Sequence, residues 1–142
     1  MTTRRRAREI VLQILYQDDV HPMRNRSSDD GFFQRRLLSN KPLVAFASEL
    51  LAGVRTHREK IDKMIGEYAV NWSVKRMSTI DRNILRLAIY ELVFSDTPDR
   101  VVVNEAIELA KRYGQHNSSS FVNGILDRAI RIKVESETQS IP

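Results

Sequence analysis

The chain has no cysteine, which excludes disulfides, thiolate nucleophiles and cysteine-ligated zinc. It also lacks any run of about 18 apolar residues, so no segment reads as a membrane-spanning helix. Its first residues, Met1 to Arg6, pass directly into an amphipathic pattern without the apolar core or small-residue cleavage site of a signal peptide. Together these absences set the expectation of a cytoplasmic protein. There are only 5 glycines, and none falls in a Walker or dinucleotide fingerprint. No G-x-S-x-G turn presents a nucleophile. His21, His57 and His116 stand apart from one another and from any carboxylate cluster, so none is read as a metal ligand. Ser118-Ser119-Ser120 suits a helix start, where serine caps backbone donors. Glu105 and Glu108, one turn apart, are accounted for as surface partners of Lys111 and Arg112. Neither an enzymatic activity nor a cofactor is expected.

What is present is helical periodicity. With 142 residues, 42% of them hydrophobic, the chain is long enough to bury a real core in one domain. Ala7, Ile10, Val11, Ile14 and Leu15 form one apolar stripe, and His21-Pro22 ends it. A short helix over about 30–39 follows from Phe32, Phe33, Leu37 and Leu38. Pro42 marks the start of the next helix, whose stripe runs through Leu43, Phe46, Ala47, Leu50, Leu51 and Val54. Ile61, Met64, Ile65 and Tyr68 continue it, with a break or bend allowed between Gly53 and Arg58. Ser78-Thr79-Ile80-Asp81 has the form of a capping box. The helix it opens, to Phe94, is apolar on more than one stripe and so is placed at the centre. Further helices are expected over about 102–113, ending at Gly114, and over about 118–132. The fold class is all-α, a single domain of about six or seven helices. Its expected extent is residues 1–132, and the polar segment 133–142 is expected to be a disordered tail.

Net charge is +5, and its distribution is uneven at the N-terminus. Arg4, Arg5, Arg6 and Arg8 precede any acid. With Ala7 as zero and about 100° per residue, they lie near 60°, 160°, 260° and 100°, around the side away from the core. Positive charge at a helix N-terminus opposes the macrodipole, so a cluster there points to an anionic partner. Arginine's planar fork suits phosphate and stacks on bases, and single-stranded RNA is read largely by stacking. Tyr16, near 180° on the same helix by the same reckoning of about 100° per residue, faces away from the core. Trp72 and Phe121 stand at helix starts where exposure is possible.

Several longer strings then carry a resemblance. Arg4-Arg5-Arg6-Ala7-Arg8-Glu9 with Leu15-Tyr16, Leu50-Leu51-Ala52-Gly53-Val54, and Leu85-Arg86-Leu87-Ala88-Ile89-Tyr90-Glu91-Leu92 occur in that order. Val103-Asn104-Glu105-Ala106-Ile107-Glu108-Leu109-Ala110-Lys111 and Phe121-Val122-Asn123-Gly124-Ile125-Leu126-Asp127 complete the set. In this order they resemble the NusB family of bacterial transcription antitermination factors over most of residues 4–132.

The resemblance implies two small helical bundles, about seven helices in all. It implies binding of boxA RNA in ribosomal RNA leader transcripts, jointly with the small-subunit ribosomal protein NusE, within an RNA polymerase antitermination complex. It also assigns residues: Arg4, Arg5, Arg6 and Arg8 to phosphate with Tyr16 nearby, Phe121 to the RNA surface, and Asp81 and Arg82 to NusE. Base preference would come from around Phe121, with Asn117 and Ser118. Segment 20–40 shares no motif with the family, and Ser120 is neutral where some relatives would carry charge. Two other readings fit the helical pattern. One is a protein-only adaptor; the other is the RNA-recognition part of ribosomal RNA cytosine methyltransferases, without their catalytic domain.

Overall fold

A computed structural model of the chain describes residues 3–139. Among them are seven α-helices, one 3₁₀ turn at Val74–Arg76 and no strand. The all-helical expectation therefore holds. The chain divides into two compact units, one ending at His57 and the next beginning at Arg58, matching the two bundles that the resemblance implied. No helix among the described residues is long and apolar enough to cross a membrane.

The first unit contains α1 (Arg4–Val20), α2 (Asp29–Arg36) and α3 (Lys41–Thr56). Thr3 caps α1, its Oγ1 accepting the Arg6 backbone N–H at 3.2 Å. Asn40 caps α3 in the same way, with Oδ1 accepting from Leu43 N–H at 3.2 Å. Pro42 lies in the first turn of α3, where its missing N–H leaves no bond unmade. Ala7, Ile10, Val11, Ile14 and Leu15 are buried as the stripe required, with Ala47, Leu50, Leu51 and Val54 of α3. Burial on α1 is wider than one stripe, however, since Glu9 and Leu12 are buried as well.

A buried ion-pair cluster joins the three helices of this unit. Arg55 Nε and Nη2 donate to the two oxygens of Asp18 at 2.8 and 2.9 Å. Arg55 Nη2 also reaches Asp29 at 3.0 Å, and Arg24 spans the same two carboxylates at 3.0 and 3.1 Å. Burial raises the pKa of Asp18, but Arg55 hydrogen bonds and charge, with the charges of Arg26 and Arg24, reverse this and hold it below the usual carboxylate value.

Helix α2 is shorter than expected. It stops at Arg36 because Leu38 and Ser39 adopt left-handed backbone, with φ of 54° and 55°. Phe33 and Leu37 enter the core as anticipated, while Leu38 is turned out to 75% exposure.

The second unit contains α4 (Arg58–Tyr68), α5 (Thr79–Phe94), α6 (Asp99–Tyr113) and α7 (Ser118–Gln139). Within the break that the sequence allowed between Gly53 and Arg58, the structure uses His57. Ser78 Oγ accepts from Asp81 N–H at 3.1 Å, the hydroxyl half of the capping box. Every residue of α5 from Asn83 to Leu92 is buried, so α5 is the central helix of its unit. Its buried basic side chain, Arg86, is held by Asp62 of α4 at 2.7 and 2.9 Å and by Asn83 at 3.1 Å.

Two helix ends differ from expectation. Helix α6 begins at Asp99, taking in the whole Val101-Val102-Val103 triplet, because Pro98 supplies the N-cap and Asp99 places an acid in the first turn. Helix α7 continues to Gln139, seven residues beyond 132. Lys133 anchors the extension by donating to the Leu92 carbonyl and to Asp99, both at 2.9 Å. The lysine, glutamates and glutamine beyond 132 are good helix formers. The tail expected over 133–142 is thus helical as far as 139, and its last three residues lie outside those described.

Replacing Arg55 by methionine leaves Asp18 and Asp29 facing each other with one bridging arginine fewer. Urea unfolding at neutral pH should show a loss of about 3 kcal/mol. Because Asp18 titrates below its ordinary value, its contribution is complete above about pH 4 and is lost as pH falls through the lowered value. Asp18→Asn should flatten that acid limb of the stability profile, and an unchanged limb would assign it to other carboxylates.

Candidate nucleic-acid interface

The charge asymmetry suspected from the N-terminus extends over the first unit. Residues 1–57 carry ten basic side chains against six acidic, and residues 58–142 carry thirteen against twelve. The arginine run itself is ordered helix from Arg4, with no acid in the first turn. It is neither a loose arm nor an even fan. Arg4 and Arg5 are exposed. Arg6, its side chain 35% exposed, pairs with Glu9 at 3.2 Å.

Arg8 corrects the sequence expectation, being only 3% exposed. At about 100° it lies some 20° from Leu15, at the border of the apolar arc. The guanidiniums of Arg4 and Arg8 stand 4.5 and 5.1 Å from the ring centre of Phe46 on α3. Such contacts contribute about 0.5–1 kcal/mol each at exposed sites and more when desolvated. They offset part of the unfavourable helix-end electrostatics, so the structure supplies some of the compensation that the sequence reading assigned wholly to an anionic partner. Phe46 was legible only as a core residue, because sequence periodicity does not reveal which side chains of another helix lie over it. Tyr16 is half-buried and lies about 18 Å along α1 from Arg4 at 1.5 Å per residue.

The remaining candidates belong to the second unit. After α6 the chain doubles back so tightly at Gly114 that a Cβ there would fall 2.5 Å from Ser118 and 2.7 Å from the Ala110 carbonyl. Ser118 Oγ accepts the Gln115 N–H at 2.8 Å, and the residue is 1% exposed. It therefore helps hold the turn together, and its burial departs from the exposed position expected of a base contact. Asn117 is exposed, and its carbonyl accepts from Phe121 N–H and Ser120 Oγ, both at 3.1 Å.

Phe121 is half-buried and stands edge-on to Trp72, their ring centres 6.4 Å apart and their planes at 86°. Asp81 and Arg82 are both half-buried at the start of α5. Arg82 donates to the Val74 carbonyl at 3.4 Å and to Thr79 Oγ1 at 3.5 Å, tying the 3₁₀ turn to the helix. Asp81 Oδ1 is buried with no hydrogen-bond partner. The structure thus brings Arg4 and Arg8 together on Phe46, and Asn117 and Ser118 into the turn before Phe121.

Comparison with known proteins shows the family and the fold. The NusB family model matches residues 5–131. The transcription antitermination protein NusB of Myxococcus xanthus is 45% identical over 132 residues, covering 90% of this chain and 94% of the relative. Among solved structures, NusB of T. maritima aligns with a TM-score of 0.79 at 41% identity, covering 90% of this chain and 91% of that one. A structure of the antitermination factors NusB and NusE in complex with dsRNA aligns with a TM-score of 0.76 at 29% identity, covering 87% of this chain and 92% of that one.

The contrast between the neighbours Asn117 and Ser118 is open to test by thermal unfolding. Ser118→Ala should lower stability by about 1 kcal/mol through the lost turn bond, whereas Asn117→Ala should stay within about 0.5 kcal/mol of the parent. Equal effects would mean that Ser118 Oγ does not hold the turn.

Proposed function

Because the chain belongs to the NusB family, we propose that it is a non-enzymatic transcription antitermination factor that binds boxA RNA of ribosomal RNA leader transcripts together with NusE. It would act in the bacterial cytoplasm, as part of the assembly that keeps RNA polymerase elongating. The observation that carries this reading is the arginine-bearing first turn of α1, held in helical order by the Thr3 cap and braced on Phe46. A fixed cationic surface attracts phosphate without first losing the conformational freedom of a disordered arm.

The roles divide by chemistry. Arg4 and Arg5 supply the exposed charge that meets the RNA backbone. Arg6 shares its charge with Glu9, and Arg8 chiefly positions Arg4 by occupying the same ring. Backbone contacts of this kind give affinity and register without reading sequence. Sequence preference then comes from Phe121, with Asn117 at its side and Tyr16 as a further aromatic contact. Asp81 and Arg82, at the opening of α5, would face NusE. That a relative has been solved with NusE and dsRNA supports both partners, and it makes duplex RNA the natural control for a single-strand preference.

Replacing Arg4 and Arg5 together by alanine should weaken binding of a short boxA-type RNA and leave helical content by circular dichroism intact. For single strands each lost phosphate contact should reduce the slope of log K against log salt by about 0.7, so the double variant should lose about 1.4. An unchanged slope would place the phosphate contacts elsewhere. Binding of NusE without RNA affinity at any salt concentration would leave a protein-only adaptor.

A further inference from the structure

The second unit has a small aromatic cleft beside Phe121, most of whose lining residues carry none of the assigned roles. It opens between the segment after α4 and the first two turns of α7, with a volume of about 200 Å³. Val70, Trp72, Phe121, Gly124, Ile125 and Arg128 are among the residues that line it. This is below the roughly 300–1,000 Å³ of pockets that enclose whole drug-sized ligands and suits one flat ring system.

The exposed apolar surface of the cleft and its mid-helix glycine lack an explanation in folding. Trp72, the chain's single tryptophan, is 54% exposed, and Val70 beside it is 70% exposed. Both leave apolar surface in water where burial would stabilise the fold. Gly124 lies inside α7, where glycine is a poor helix residue, yet a Cβ at that position would meet nothing within 4 Å. Packing does not demand the glycine; its effect is to keep the cleft open. Arg128 is exposed, and its Nη1 donates to the Tyr68 carbonyl, which orients the guanidinium at the cleft.

We propose that this cleft receives one unstacked nucleobase of the bound RNA, stacked on Trp72 with Phe121 at its edge and Arg128 beside its phosphate. The two rings are nearly perpendicular, so a base lying flat on one and touching the other would meet it edge-on, a favourable arrangement for π systems. A cationic, planar group and apolar aromatic rings are the combination by which single-stranded nucleic acid is held. The proposal rests on the RNA-binding reading and adds Trp72, Gly124 and Arg128 to it.

The test uses the full chain and a dye-labelled boxA-type RNA, with anisotropy reporting binding and tryptophan emission reporting the cleft. With a single tryptophan, all of that emission comes from Trp72. RNA should quench it in step with the anisotropy rise, and an oligonucleotide carrying abasic sites should bind more weakly and leave more of the emission unquenched. Trp72→Ala should weaken binding about tenfold. Gly124→Leu should weaken it comparably by filling the cleft, while helical content is retained or raised. If RNA binds but leaves the emission of Trp72 unchanged, and Gly124→Leu binds like the parent, the cleft is overturned and the RNA reading stands. If the parent protein binds no RNA at any salt, both fall together.

Discussion

The buried carboxylate of Asp18 is the point on which the first unit depends. Arg55 grips both of its oxygens, and Arg24 links it to Asp29, so one cluster joins α1, α2 and α3. A second contact, Arg4 and Arg8 on Phe46, lies toward the other end of the same helix pair. The end of α1 meets the end of α3, and the start of α1 meets the first half of α3, so the two helices run parallel. They are pinned at points roughly 14 Å apart at 1.5 Å per residue. A helix fixed at both ends carries its terminal arginines as part of a rigid body. That is the physical difference between an arginine tip that binds and one that merely frays.

The second unit uses its basic residues differently. Arg86 is tied to Asp62, Arg128 to the Tyr68 carbonyl, and Lys133 to Asp99 and the Leu92 carbonyl. These contacts join α5 to α4, α7 to the end of α4, and α7 to α5 and α6. Cations that complete helix ends and carboxylates serve the fold first, which accords with the near-balance of charge beyond residue 57. Arg128 does both, since its anchored guanidinium remains exposed at the aromatic cleft. Glu91 completes the turn after α5 in a similar way, its Oε1 accepting from Thr97 and its carbonyl from Ser95.

Most helix boundaries were legible because their signals are local. Pro42, His21-Pro22, Ser78 and Gly114 act through backbone donors and allowed dihedrals within a few residues of themselves. The misses share a different cause. Arg8 and Phe46 meet across two helices, and Lys133 reaches back to Asp99, contacts between residues 34 or more apart in sequence. The end of α2 was misplaced because Leu38 and Ser39 take left-handed dihedrals that their residue types do not announce. Ser118 was read both as part of a helix start and as a base contact, and the structure buries it with its Oγ accepting from the Gln115 N–H of the preceding turn. Trp72 was recognised as a candidate for exposure, but its partnership with Phe121 and the open cleft at Gly124 exist only in the folded unit.

In the proposed function, the family reading names the RNA and the protein partner, and the residues would supply the means of holding them. The central claim is that RNA recognition and the NusE contact are cooperating properties of one small helical protein. It is tested most directly by titrating boxA-type RNA and a scrambled control at two salt concentrations, with and without NusE. Preference for the boxA sequence that NusE strengthens is the predicted result. NusE binding with no contribution from either RNA at either salt would contradict the account and leave a helical adaptor.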